Sequence, residues 1–583
     1  MRTLAQDTVR QVGKSVSLQG WVNTRRDHGG LIFVDLRDHT GITQLVVQPE
    51  NDAAFTIAET LRDEFVIEAT GVVSERADDL KNPHIDTGNI EIRITEIKIL
   101  NRSETPPIQV EGDAMAGEEL RLKYRYLDLR RPKMQEMLKK RADMYHRIRT
   151  YMEKEDFTEV TTPIVANSSP EGARDFLIPA RMHPGAFYAL PQAPQQFKQL
   201  LMVGGVPRYY QLAACFRDED PRADRLYGEF YQLDLEMSFV QDGEEVRTMT
   251  EPLIKQLVTD FAGKKLLTED IPRMPYQEAM EKYGSDKPDL RYGMELIDLS
   301  EELQGTEFGV FAGALKKGVV KAIRVEGASD LSRSQIDKFT EIAKAEGAGG
   351  LAYLVFENGE IKSPIAKFLK PEELQAIRSK TGAKDGDIVF FGADAHNIVN
   401  KVLGKLRIAF ADHFELKDPN IISLVWIVDF PLYEKDEKTG KVDFGHNPFT
   451  MPKGGLNALN AEDKLSIIAD QFDMVMNGYE ICSGGVRNHN PEIMYKVFDI
   501  LDCDKAYVDE KFGAMINAFK YGAPPHAGCA FGVDRILMEL MGEENVREVV
   551  AFPKNGSGVD VMMNSPSPVD PTQLKELGVK TSN

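Results

Sequence analysis

Three observations predict a multidomain α/β protein: strand-like alternation through the first hundred residues, a proline-marked break followed by a helical apolar register, and two arginine-bearing segments far apart in sequence. The expected plan is an N-terminal β-barrel, a larger domain containing an antiparallel hairpin, and an α+β insertion between that domain's halves. At 583 residues and 42% hydrophobic content the chain can bury several cores, and its length suggests three or more domains. The division expected is 1–104, a hinge over 105–134, 135–283, an insertion over 284–415, and 416–583.

The barrel comes first. Val16–Thr24, Leu31–Arg37, Ile42–Gln48, Glu64–Ser74 and Asn89–Leu100 are strand-like, with Gly29-Gly30 and Thr40-Gly41 as turns and a helix-prone stretch from Asp52 to Arg62 after the third strand. Five strands with a helix after the third is the order of an OB-fold, a barrel that binds single-stranded bases by stacking and polar edges. Phe33, with Arg25, Arg26 and Arg37 about it and Gln44 and Glu91 on other strands, is a stacking and reading set on this view. The competing reading is that Phe33 packs in the barrel core.

Thr105-Pro106-Pro107 marks a boundary, because consecutive prolines stop both helix and central strand. Between Arg121 and Arg149 basic residues greatly outnumber acids, and RLKYRYLDLRRP at 121–132 is the expected RNA-facing part. Leu138, Ala142, Tyr145, Ile148 and Met152 recur at helical spacing, and Phe157 to Pro163 reads as a strand ended by proline.

Arg208–Arg217 and Phe230–Val240 read as two strands around a charged turn. Arg217 and Arg225 can grip phosphate oxygens bidentately, with Glu229, Asp234 and Glu236 near them on an alternating register. Surface ion pairs on a solvated turn are the plain alternative. The insertion, opening at YGSDKPDLRYGMEL and containing DGDIVFFGADAHN, shows no chemistry of its own, and the strand pattern resumes near Ile421. In YGAPPHAGCAFGVDRILMEL at 521–540, small residues lead into an apolar helical run, so Arg535 stands at a helix entry where an anion is favoured.

Composition narrows the partners. A formal charge of -21 argues against nonspecific binding to nucleic acid, so RNA contact is expected to be local and DNA is not an expected partner. No apolar run is long enough to span a bilayer, and the first residues lack a secretory signal pattern, so a cytoplasmic protein is expected. Cys215, Cys482, Cys503 and Cys529 lack CxxC spacing and read as reduced core thiols.

FRDE at 216–219, followed far downstream by the GxxxGxDR pattern at 528–535, resembles motifs 2 and 3 of the class II aminoacyl-tRNA synthetases. The helix and strand over 138–163 resemble motif 1, the family's dimer-forming element. SPEGARDF at 169–176, LPQAPQQFKQLL at 190–201 and the insertion, similar to a GAD module, point within that family to the bacterial aspartyl enzymes. The resemblance spans essentially the whole chain.

It implies an antiparallel-sheet catalytic domain, a homodimer, the substrates L-aspartate, ATP and tRNA-Asp, and Mg2+. Glu171 and Gln195 match residues that hold the amino group of aspartate, Lys198 and Arg487 supply cations for its side chain, and Asp234 and His446 complete that set. Around ATP, Arg217 matches the α-phosphate contact, Phe230 the adenine platform and Arg535 the γ-phosphate contact, with Asp218, Glu219, Glu480, Gly532, Val533 and Asp534 beside them. Arg217, Glu480 and Arg535 would be the catalytic residues, and Asp473 with Glu480 the metal ligands. Arg26, Phe33, Gln44 and Glu91 would meet the anticodon.

His28 resembles enzymes that charge both tRNA-Asp and tRNA-Asn, whereas Asp79 stands where those enzymes often carry glycine. Dual specificity is the expectation, with a strict tRNA-Asp enzyme as the alternative. Departures from the commoner pattern are Ala193, Asn447, Cys482-Ser483 and one residue added around Leu226-Tyr227-Gly228. A lysyl or asparaginyl synthetase, an asparagine-forming ligase and a non-catalytic RNA-binding relative are the competing classes. Two side-chain cations, the insertion, the N-terminal module and the retained Arg217, Glu480 and Arg535 argue against them in turn.

Overall fold

The computed structural model describes residues 2–112, 115–168, 172–436 and 439–581. They form two units, Met1–Lys140 with Val550–Ser567 and Arg141–Val549 with Pro568–Asn583.

In the first unit, five strands close a barrel. Ser15–His28 pairs with Leu31–Asp38, which pairs with Gly41–Val47; Ile90–Asn101 and Val66–Glu75 complete the circuit back to Ser15–His28. The helix Asp52–Thr60 follows the third strand, as the sequence predicts. Alternation along Leu31–Asp38 sends Ile32, Val34 and Leu36 into a core shared with Val22, Leu45, Ile67 and Ile92. Phe33 lies between two inward residues and therefore faces out of the barrel, so the core reading of this ring does not hold.

The basic stretch after the barrel is a correction. Arg121 and Arg125 are buried, and both close on Asp128, at 3.0 and 2.6 Å, a carboxylate with no exposed surface. Arg125 also donates to the carbonyls of Val550 and Ala551 at 2.8 and 2.9 Å. Arg130 stacks over Trp21 and pairs with Glu64 at 2.7 Å. Arg37, counted above among the groups around Phe33, is likewise buried and bidentate to Glu64. A buried carboxylate needs compensating cations, and here the arginines expected to face RNA supply them.

The second unit is built on an eight-stranded sheet in the order Arg273–Pro275, Leu424–Val428, Gln471–Met476, Tyr479–Val486, His526–Gly532, Gly228–Ser238, Arg208–Arg217, Thr158–Glu159. All neighbours are antiparallel except the two edge strands. The strand expected over 157–163 is shorter, Thr158–Glu159, because only these residues pair with Tyr209 and Tyr210 before the chain turns away toward Pro163. The helix Pro132–Lys154 buries Met144, Ile148 and Met152.

Between the halves of that sheet the insertion carries its own antiparallel sheet, ordered Leu296–Asp298, Val319–Val325, Ile388–Asp394, Ala352–Glu357, Glu360–Lys362. Its core stacks Phe390 on Phe410, with Phe339 packed edge-on against them. The helix His396–His413 closes one face and brings Arg407 onto the segment through which the chain enters the insertion. No helix among the described residues is long and apolar enough to cross a membrane.

Candidate active site

Sheet register gathers the site. Asp234 pairs with Ala530, Ala530 with Ser483, and Ser483 with Asp473, so one row across four strands carries both acids on the same face. Glu236 pairs with Gly528 in a parallel row. Above this face lies a cavity of about 510 Å3, with Gln195, Lys198, Arg217, Lys287, Arg487 and Arg535 in its lining. Segments separated by some three hundred residues thus converge.

At the cavity floor, cations and carboxylates alternate. Lys198, on the helix Gln195–Val203, sits 2.6 Å from Asp234 and 3.4 Å from Glu236. Arg487 meets Glu236 through two hydrogen bonds, Nε at 2.8 Å and a terminal nitrogen at 3.1 Å, and donates to the Gly528 carbonyl at 2.9 Å. All four side chains are essentially without solvent exposure. Burial pushes the Asp234 carboxyl above its ordinary value despite Lys198. For Glu236 burial works in the same direction, but Arg487 and Lys198 outweigh it and hold the carboxyl low. The Gln195 amide nitrogen is buried without a hydrogen-bond partner among the described residues, and Asp234 is also within reach of the Tyr209 hydroxyl. A buried amide nitrogen on the cavity wall is suited to a polar ligand.

Gly528 makes the close packing possible. A Cβ there would lie 2.1 Å from a Glu236 oxygen and 2.2 Å from the Leu235 carbonyl.

The expected hairpin forms, with Arg208–Arg217 and Gly228–Ser238 running antiparallel and Arg217 opposite Gly228; the second strand begins and ends two residues earlier than Phe230–Val240. Arg217 lies over the Phe230 ring, 5.0 Å from its centroid, and forms no ion pair among the described residues. Arg225, by contrast, is taken by Glu219 at 2.5 Å. At the hairpin tip, where the sequence suggests an added residue around Leu226-Tyr227-Gly228, the Tyr227 hydroxyl donates to Asp218 at 3.1 Å.

Arg535 is the third residue of the helix Val533–Met541, which Gly532 caps. Its guanidinium pairs with Asp224 at 2.9 Å and donates to the Glu480 carbonyl. Asp534 is buried, held by Arg141 at 2.6 Å and by the Tyr231 amide at 2.9 Å, and Val533 is core.

On the Gln471–Met476 and Tyr479–Val486 hairpin Asp473 stands opposite Ser483 and Glu480 opposite Val475, and both acids line the cavity. Burial, then the charge of Glu480, raises the Asp473 carboxyl well above its ordinary value. Burial works against Glu480 as well, yet Lys287, 3.0 Å away, and then Arg535 bring its carboxyl below the ordinary value. Two adjacent carboxylates, one of them short of positive charge, are donors suited to a hard cation. No group of three or more His, Cys, Asp or Glu side chains is gathered for a metal among the described residues. His446 packs edge-on to Phe430 and Tyr276, and burial lowers its pKa.

Sequence reasoning missed Lys287. A lysine in the turn SDKPD reads as a surface residue, and only the fold of the insertion's entry segment brings it to Glu480. Glu171 lies outside the described residues.

On the barrel, Phe33 is opposite Arg26, Gln44 is opposite Asp35, and Arg26 pairs with Asp35 at 2.8 Å. His28 meets the Phe33 ring at 5.9 Å, and the Glu91 charge is felt at Arg76 together with those of Asp35 and Arg26. Arg26, His28, Phe33, Gln44 and Glu91 therefore share one outer face. Asp79 lies in the exposed turn Asp78–Leu80.

Residues 117–556 match the family model of tRNA synthetases class II (D, K and N), and residues 16–100 match that of the OB-fold nucleic acid binding domain. The chain belongs to the class II tRNA synthetases. Within that family it is similar to a Chlorobaculum parvum protein named "Aspartate--tRNA(Asp/Asn) ligase", 50% identical over 97% of this chain and 94% of that protein. A Rickettsia felis protein of the same name is 49% identical over 98% and 96%. Among solved structures, an aspartyl tRNA synthetase from Entamoeba histolytica shares the fold with a TM-score of 0.57 at 18% identity, covering 95% of this chain and 92% of that one.

Proposed function

We propose that this synthetase activates L-aspartate with ATP and transfers it to the 3′ end of tRNA-Asp and also of tRNA-Asn. The observation that carries the amino-acid choice is the buried pair Lys198 and Arg487 at the cavity floor. Two cations suit a side-chain carboxylate. An asparagine amide would turn its NH2 toward donors and leave them unpaired, a penalty of about 1–3 kcal/mol for each lost partner. Gln195, whose amide nitrogen is buried without a hydrogen-bond partner among the described residues, and Asp234 are assigned to orient the rest of the amino acid.

In the first step an α-carboxylate oxygen attacks the α-phosphorus, a new P–O bond forms, and the bond to the pyrophosphate oxygen breaks. Catalysis is positioning and charge neutralisation. Arg217 would meet the α-phosphate, Phe230 the adenine, and Arg535 the far phosphates from its helix entry. Asp218, Glu219, Gly532, Val533 and Asp534 frame that nucleotide, the buried Val533 and Asp534 by fixing the helix rather than by contact. Asp473 and Glu480 fit Mg2+, which when bound would neutralise phosphate oxygens. His446, which is in the same cavity lining, is assigned to the amino-acid end. In the second step a terminal ribose hydroxyl of the tRNA attacks the adenylate carbonyl and AMP leaves.

The outer face bearing Arg26, Phe33, Gln44 and Glu91 is assigned to the anticodon, and His28 beside Phe33 to the relaxed choice between tRNAs. A homodimer accounts for the exposed Ile164, Val165, Leu177 and Phe187, and a cytoplasmic location is the corresponding assignment. Aspartate-dependent ATP–pyrophosphate exchange tests the chemistry: Arg217→Ala and Arg535→Ala should each lose at least about a hundredfold in kcat, and full exchange in either would overturn the scheme. Charging of purified tRNA-Asp and tRNA-Asn tests specificity, with both aspartylated; a tRNA-Asn left uncharged at high enzyme would reduce the enzyme to a strict one.

A further inference from the structure

Lys287 belongs to the insertion's entry segment, not to any strand of the catalytic sheet, yet its ammonium lies 3.0 Å from Glu480. It also faces Asp286 at 3.8 Å. The segment is held on both sides of the lysine. Before it, Gly284 takes a left-handed turn (φ 64) so tightly against the helix His396–His413 that a Cβ would lie 2.1 Å from the Asn400 carbonyl. After it, Arg407 of the same helix donates to the Asp289 and Gly293 carbonyls, each at 2.6 Å. The Arg407 guanidinium lies between the rings of Tyr283 and Tyr292, 4.8 and 4.3 Å from their centroids. Asp289 is buried and pairs with Arg291 at 2.7 Å. This amount of fixing around one turn sets the lysine in place.

We propose that Lys287 is a positioning residue that serves as the resident counter-charge of the Asp473–Glu480 pair and competes with a divalent cation for Glu480. A metal ion bound by Glu480 needs its oxygens at close to 2 Å, and an ammonium hydrogen-bonded to one of them opposes that approach. Lys287 keeps two neighbouring carboxylates compatible before nucleotide arrives and gives up Glu480 when metal comes with the phosphates. The insertion, through Arg407 and Gly284, thereby acts on the metal site it does not itself contribute to. The proposal rests on the assignment of Asp473 and Glu480 as metal ligands.

The test is direct Mn2+ binding to the full-length protein without nucleotide, followed by electron paramagnetic resonance of the free ion. Lys287→Met should bind one Mn2+ at least about threefold more tightly than the unmodified protein, the scale of a partly exposed ion pair, and Lys287→Arg should restore the weaker binding. Equal or weaker binding by Lys287→Met overturns the proposal. In the Lys287→Met/Glu480→Gln double variant the tightened site should vanish; its persistence would instead overturn the metal assignment. Unchanged circular dichroism and aspartate binding confirm that the variants fold.

Discussion

Arg487 and Glu236 form a two-point ion pair essentially without exposure to solvent, and Lys198 approaches one of the same carboxylate oxygens at 3.4 Å. The guanidinium is thus fixed in orientation by a neighbouring buried carboxylate. Glu236→Ala should destabilise the protein by about 3–5 kcal/mol in urea denaturation, since it leaves a buried guanidinium uncompensated. Arg487→Lys, which keeps charge but loses the fork, should raise the aspartate KM at least about tenfold while sparing the KM for ATP.

Gly528→Ala should reproduce much of that damage from the opposite strand. The added methyl would occupy the Glu236 oxygen's place, so aspartate affinity should fall together with thermal stability. A variant with unchanged aspartate KM would mean that the two strands separate without cost.

Acid should weaken the same region through His526. It is fully buried, with Nδ1 at 2.7 Å from the Pro524 carbonyl and Nε2 at 3.2 Å from Gln199, and Glu236, Arg487 and His489 face it. Burial lowers its pKa below the ordinary 6.5. The unfolded chain therefore takes up a proton first, and stability present above that value is lost as pH falls below it. Between about pH 7.5 and 5.5 Tm should decline, and His526→Gln should flatten the decline. An unchanged slope would refute this origin.

Phe33→Ala should separate recognition from chemistry. Its ring faces outward from the barrel, so removal should cost about 1–3 kcal/mol of RNA affinity, seen as a higher KM for tRNA. Aspartate-dependent pyrophosphate exchange should stay as it was.

Asp128→Ala should unfold what the sequence presents as a basic surface. With Arg121 and Arg125 left uncompensated inside, a loss of about 3–5 kcal/mol is expected. Differential scanning calorimetry reads it, and a variant as stable as the parent would return the stretch to solvent.

The barrel was legible because alternation and turn residues are local signals, and each strand was located to within a few residues. Arg217 and Arg535 could be singled out in sequence from their turn and helix entry, and both line the cavity. Their convergence was not legible, since it depends on pairing between strands hundreds of residues apart. Asp128 shows the opposite failure: a carboxylate among arginines looks solvated in sequence, and only burial reveals that it organises them. Lys287 gave no local sign, because its partner is supplied by tertiary packing.

The inward turn of Arg121 and Arg125 bears on how RNA finds this protein. An excess of negative charge repels a polyanion at a distance, and the densest run of arginines adds little to soften that repulsion because its strongest members are neutralised inside. On the proposed function, encounter would gain little from long-range attraction, and affinity would come from bases touching the barrel face. Such a binder samples many RNAs briefly and keeps few, so selectivity is expressed in dwell time rather than in speed of capture.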